Sequence, residues 1–334
     1  MDCPAIPVAH KCSNCLKIAS IVCKDTPDGA GNLTALYYCT QACQKAHWNA
    51  HKPECEVSQS RRAVYRAGYL VQALHFTFRR NTWSWPISKV ERDRLVGIGE
   101  TWRIFDAEHP GNEVSYFLPF PEVLFPKVQD QEAVLSHSDC RNAIADMGVL
   151  TNDLLKDICS DIREVSTSVN NTPLTILRHR ICSPKVCFFT RRHEVLQVTL
   201  KNREVYALDM TGAQYGWPLP ATMPWGTFVK DRVEIVKEIR KFGETAQDLQ
   251  VERAATNNEE LRYHHRVMDE MKQCFDMLLK QWQNNVSLLT DMLKLPEEDF
   301  QCKQASLFQF MNEEMAALRL KFNKGMAASH SGGD

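Results

Sequence analysis

The sequence predicts a small cysteine-rich module at the N-terminus, then an α+β domain with a short antiparallel sheet, then a mostly helical C-terminal half. Three observations predict this. Of 13 cysteines in 334 residues, seven fall within the first 55: Cys3, Cys12, Cys15, Cys23, Cys39, Cys43 and Cys55. Short β-branched runs cluster between residues 186 and 208. From about Lys230 to Asn323, apolar side chains recur at spacings of three and four.

Composition limits the function. Forty basic side chains face 41 acidic ones, a net charge of −1, so no overall field draws the chain to a polyanion or a membrane surface. No run of 18 apolar residues occurs, and a membrane-spanning helix is not expected. The opening MDCPAIPVAHKC has no basic patch leading into an apolar run, so no secretory signal is expected. The chain is expected to be intracellular, in nucleus or cytoplasm. In a reducing compartment the crowded cysteines read as metal ligands before disulfides. Cys140, Cys159, Cys182, Cys187, Cys274 and Cys302 are scattered and read as small buried apolar residues.

The module spans residues 12–55. Cys12 and Cys15 form a CxxC knuckle, Cys39 and Cys43 a CxxxC pair, and His51 and Cys55 an HxxxC pair. Thiolate and imidazole at these spacings suit tetrahedral Zn²⁺. Helical i, i+4 spacing puts Cys43, His47 and His51 on one stripe. With few apolar side chains the module cannot fold on burial alone. Zinc binding supplies the missing stability, so the metal is expected to be structural.

The string YYCTQACQKAHWNAHKPEC resembles the second half of a MYND zinc finger, whose hallmark is YCxxxCQxxxWxxHxxxC; the opening knuckle and the Cys15-to-Cys23 spacing also fit. The resemblance covers residues 12–55. It implies two structural zincs held by interleaved pairs. Cys12, Cys15, Cys39 and Cys43 would hold the first. Cys23, His51 and Cys55 would contribute to the second. The family's cysteine three residues after Cys23 is replaced by Thr26, and the other alignment leaves Ser20 in that role. Asp25, Asp28, Cys3 or a water stand as the eighth ligand. His47 is expected to be exposed, and His10 to lie in a loop.

MYND fingers grip short proline-containing peptides, so the resemblance implies a protein-interaction adaptor. Gln44 and Trp48 would line the peptide groove. Trp48 can also pack the finger's core, since one indole face can be buried while its edge stays exposed. A DNA-reading role fits poorly, because the helix near 41–51 carries Lys45 as its fixed charge and no Arg.

Beyond the finger, residues 56–60 read as an exit, and Ser60 as the cap of a helix from Arg61 to Arg80. Val64, Ala67, Val71, Leu74 and Phe78 form its apolar stripe. Residues 61–94 are locally basic and read mainly as a solvated face. Residues 111–128 read as extended segments or loops, and residues 131–167 as helix with an internal cap at Ser138 or Asp139. Val186–Thr190, Val195–Leu200 and Glu204–Leu208 read as a meander, the last two joined by a two-residue turn at Lys201-Asn202. Domain limits fall at 60–230 for the α+β domain, 231–324 for the helical region, broken at Pro296, and 325–334 for a disordered tail. The segment YALDMTGAQYGW (206–217) is similar to one downstream of the finger in fungal MYND-finger proteins, with no activity attached.

Enzyme readings are weaker here. MYND fingers occur inside SET-domain lysine methyltransferases, but only 11 residues precede Cys12 and no Gly-rich cofactor signature is present. The alternative is a cysteine-dependent enzyme resembling papain or transglutaminase cores. There Cys140 would stand at a helix start, where the dipole favours the thiolate, with His193 on one strand and Asp209 on the next. The two-residue turn pairs 193 with 210, which puts Asp209 on the wrong face unless a bulge intervenes.

Overall fold

The computed structural model describes residues 10–23, 36–95, 99–108, 116–181 and 191–331, with every side chain in them except those of 22, 23, 50, 51, 53, 54, 95 and 325–331. The chain divides into two compact units, 1–66 and 67–334.

In the first unit, β1 (Ile21–Cys23) and β2 (Leu36–Tyr38) pair antiparallel, with Ile21 opposite Tyr38. Helix α1 (Gln41–Asn81) follows at once. The Thr40 hydroxyl accepts the Cys43 N–H at 3.2 Å, the contact expected of an N-cap. Residues 56–60 do not end this helix. They contain neither Gly nor Pro, and Ser60 donates to the Glu56 carbonyl four residues back instead of capping. The helix expected from Arg61 is therefore the second half of α1. Its predicted stripe holds: Val64, Ala67, Val71, Leu74 and Phe78 are all buried.

In chain order the second unit continues with β3 (Ile87–Leu95), β4 (Gly99–Asp106), α2 (Val128–Ser136), α3 (Cys140–Leu155), β5 (Cys159–Val169) and β6 (Leu174–His179). Then come β7 (Arg192–Leu200), β8 (Val205–Leu208), β9 (Thr222–Pro224), α4 (Trp225–Arg232) and β10 (Val233–Lys241). Helices α5 (Glu244–Ala255), α6 (Glu259–Asn285), α7 (Leu289–Met292) and α8 (Glu297–Ser331) complete it. β10-β5-β7-β8-β9 form an antiparallel sheet. β3-β4-β6 form a second sheet, in which β4 and β6 run parallel.

Several expectations change. Residues 87–94, the end of the stretch read as a solvated helix face, belong to strand β3, which pairs antiparallel with β4. Residues 159–167 belong to strand β5, not to a helix, and β10 interrupts the expected helical run. Both are rich in β-branched residues, and their apolar side chains fit period two as well as period 3.6 over so short a length. Pairing with each other and with β7 decides the matter. Helix α8 reaches Ser331, well into the expected disordered tail. Val186–Thr190 lies outside the described residues. The Pro296 break and the stripe of Val267, Met271 and Leu278 stand as expected, with Cys274 half-buried.

Two apolar clusters stand out among the described residues of the second unit. Trp83, Trp102, Ile104, Phe125, Leu135 and Ile176 pack together, and Val165, Val195, Ala207, Phe228 and Val233 form another cluster. α1 lies so close to β9 that a Cβ on Gly68 would stand 1.9 Å from the Thr222 hydroxyl oxygen. Among the described residues no helix is long and apolar enough to cross a membrane.

One buried carboxylate ties β5 to the start of α5. Glu164 accepts from Gly243 N at 2.7 Å, Thr245 N at 2.8 Å and the Thr245 hydroxyl at 2.6 Å. Glu164→Ala leaves three donors unpaired and is expected to cost roughly 3–5 kcal/mol. Urea unfolding of the variant should show that loss at an unchanged m-value.

Candidate functional site

In the first unit, four thiols converge. Cys15 and Cys39 Sγ are 3.4 Å apart, Cys39 and Cys43 3.5 Å, and Cys43 and Cys15 3.7 Å. With Cys12 Sγ, all four lie within 4.8 Å of one another. A tetrahedron with zinc–sulfur arms of about 2.3 Å has edges of about 3.8 Å, so the spacing fits. The knuckle is shaped by its backbone: Leu16 takes φ 64°, and its N–H returns to the Cys12 carbonyl at 2.8 Å. Burial would raise the Cys12 pKa, but N–H groups of Cys39, Asn14 and Cys15 bring it down to about 6. Cys39 moves the other way, to about 12, through hydrogen bonds to Cys15 and Cys43. Thiols this crowded cannot all ionise without a cation among them, and a divalent metal displaces their protons. The group could hold a metal ion, and its all-sulfur chemistry is compatible with zinc.

Cys55 is buried and accepts from the Gln59 amide at 3.2 Å, outside this group. The side chains of Cys23 and His51, and the whole of Cys3, Asp25 and Asp28, lie outside the described residues, so the expected second site has no described geometry. Gln44 is half-buried and Trp48 is 43% exposed one turn further along α1. His47 is half-buried rather than exposed, with Nδ1 3.0 Å from the Tyr38 hydroxyl. His10 is outside any helix or strand, its ring stacked on Tyr37 at 3.7 Å.

In the second unit, Cys140, His193 and Asp209 come together. His193 Nε2 and Asp209 Oδ1 are 2.9 Å apart, with side-chain exposures of 0% and 3%. Cys140 is half-buried at the first position of α3. Burial would lower the His193 pKa, but the Asp209 carboxylate and then the Cys140 thiol beside the ring push it up. Burial would likewise raise Asp209, and His193, Arg232 and the Thr211 N–H hold it low. Among the described residues, His193 Nδ1 makes no well-aligned hydrogen bond.

The expected register was the objection to this arrangement, and the structure removes it. The β7–β8 loop has three residues, not two. Arg203 takes φ 71°, its N–H bonds to the Leu200 carbonyl, and Leu200 N–H bonds to the Glu204 carbonyl. The strands pair Leu196 with Leu208 and Val198 with Tyr206. Continued, this register sets Asp209 across from Val195, two residues from His193 and on the same face. No bulge is needed.

Supporting contacts come largely from residues 206–217, a segment the sequence marks as distinctive without indicating its role. Thr211 N–H donates to Asp209 Oδ1 at 3.1 Å. A Cβ on Gly212 would stand 2.5 Å from Asp209 Oδ2, so only glycine fits. The Gln214 side-chain carbonyl accepts the Ser138 N–H at 3.1 Å and its amide donates to the Thr211 carbonyl, tying the lead-in to Cys140 to this segment. The Tyr215 ring meets His193 edge-on at 4.9 Å and its hydroxyl donates to the Arg192 carbonyl. Arg232 stands 3.5 Å from Asp209 Oδ2 and lies over the Trp217 ring. At the head of α3, Asp139 makes no side-chain cap. Its carboxylate instead pairs with Arg79 at 3.0 Å and accepts from Asn142. Among the described residues, Asp139 thus offers no side-chain acceptor to the first-turn N–H groups of α3.

The chain matches no protein-family model, no curated protein and no solved structure.

Two measurements follow from these geometries. Native mass spectrometry is expected to find zinc on the purified chain, with at least one ion lost in Cys39→Ser. For the His193–Asp209 pair, the raised histidine contributes stability below about pH 6.5, lost as pH rises through its folded value. The depressed aspartate contributes above about pH 4, lost as pH falls through its own. Asp209→Asn is therefore expected to cost roughly 3–5 kcal/mol between those limits and less on either side, as read by unfolding curves at pH 5.5 and pH 9.5.

Proposed function

We propose that the second unit is a cysteine-dependent acyl-transfer enzyme. The observation that carries this reading is the meeting of a helix-start thiol, a buried imidazole and a buried carboxylate in one cluster. A positive imidazole and a helix N-terminus both stabilise negative charge on the Cys140 sulfur. The thiolate attacks a carbonyl carbon, the leaving group departs with a proton from His193, and a thioester forms. Water then attacks with His193 taking its proton, and collapse of the adduct releases the acid and restores the thiolate and the charged imidazole. Asp209 orients the imidazole throughout. The uncapped N–H groups at the head of α3 are suited to receive the carbonyl oxygen as it gains charge.

The first unit is read as a MYND-type zinc finger serving as a protein-interaction adaptor, with Gln44 and Trp48 gripping an extended, proline-containing peptide. What supports this is the resemblance of residues 12–55 together with the exposure of a large indole at Trp48. The two readings concern different units and are compatible.

Iodoacetamide at pH 7 is expected to label Cys140 at least tenfold faster than free cysteine, with the site mapped by mass spectrometry. His193→Ala should remove that advantage; equal rates in both proteins sink the enzyme reading. Trp48→Ala is expected to weaken partner capture while zinc content stays at the wild-type level. Loss of zinc instead makes Trp48 a purely structural residue.

A further inference from the structure

A cavity of about 690 Å³ lies among α1, α3, α5 and α6, apart from the thiol centre: none of Cys140, His193 and Asp209 lines it. Its wall carries four carboxylates, Asp139, Asp146, Glu252 and Asp269, against two guanidiniums, Arg79 and Arg253. Most of these charges are already matched. Arg79 pairs with Asp139 at 3.0 Å, Arg253 with Asp269 at 2.8 Å, and Glu252 with Arg141 at 2.8 Å. Asp146 is left over: half-buried, it lines the cavity with no hydrogen bond or ion pair among the described residues. Leu249, Leu261 and Met268 supply apolar wall.

We propose that this cavity binds an aliphatic amine, its ammonium group seated on the Asp146 carboxylate and its hydrocarbon chain against the leucines and Met268. Even a half-buried carboxylate without a partner is costly, and a ligand cation relieves that cost. An anion meets guanidiniums that each already have a carboxylate partner. A metal ion fits less well, because among the described residues the acid and imidazole atoms of the cavity do not converge as the four thiols do. The volume suits a small molecule.

The electrostatics agree. Burial, then the neighbouring Asp139, push the Asp146 pKa up to about 7, against the lowering pull of Arg253, Lys272 and Arg79. His264, whose Nδ1 lies 2.6 Å from the Tyr116 hydroxyl, is lowered to about 4 by burial, and His265 is lowered for the same reason. Both rings are therefore neutral near pH 7 and do not repel an ammonium group. Binding should strengthen as Asp146 ionises, by about tenfold between pH 6 and pH 8.

The test is calorimetry on the full chain with 1,5-diaminopentane, and with glutarate as the dicarboxylate of equal length. The amine is expected to bind at pH 8, about tenfold more weakly at pH 6, and at least tenfold more weakly to Asp146→Asn. Cys140→Ala should bind it as wild type does, which separates this result from the fate of the enzyme reading. No heat with the amine at pH 8, affinity independent of pH in the wild-type chain, or preference for glutarate overturns the proposal. The pH comparison uses no variant, so it stands even if Asp146→Asn fails to fold.

Discussion

An imidazole and a carboxylate placed inside a β-sheet are stable there only if each completes the other's bonding, and much of the second unit is arranged to let His193 and Asp209 do so. Burial acts against both charges. The 2.9 Å contact between them, the Thr211 N–H and the Arg232 guanidinium act the other way. Several otherwise unrelated features follow from this one demand. Gly212 has no side chain because Asp209 occupies the space one would need. Tyr215 closes the edge of the histidine ring. Gln72, on α1, reaches the carbonyls of Asp209 and Met210 at 3.4 Å, so the backbone that bears the carboxylate is held as well.

The first unit answers to a different demand. Its described part is small, and its backbone is shaped to aim sulfur atoms at one point: a left-handed Leu16 closes the knuckle, and a threonine starts the helix that carries Cys43. The pull on the thiols in opposite directions, Cys12 down and Cys39 up, fits four acids too close together for all of them to carry negative charge unaided. A cation resolves that competition, which is why such a module needs little hydrophobic core.

The metal cluster was legible because its ligands are close in sequence and the chemistry of sulfur narrows the choices. The α1 stripe, the Pro296 break and strands β7 and β8 were legible because periodicity and breakers are local signals. Strands β5 and β10 were not, since VEIVKEIRK and its partner satisfy two periods at once and only pairing across the sheet separates them. The thiol centre was half legible. Its three residues could be named, but their meeting turned on a single residue of loop length. The backbone conformation of Arg203 decides it, and a non-glycine residue gives little local sign that it will turn left-handed. The roles of Gly212, Gln214 and Tyr215 were hidden for another reason: each acts on a side chain brought close only by the completed fold.

That loop bears on how freely this chain can vary. Hairpin ends at a protein surface commonly accept insertions and deletions, because nothing downstream depends on their length. Between β7 and β8 something does. Removing or adding one residue there, with both strands otherwise intact, would turn the side chain at 209 away from its imidazole. An odd count of connecting residues is thus as necessary to the His193–Asp209 contact as the acid itself, although none of the three touches either side chain.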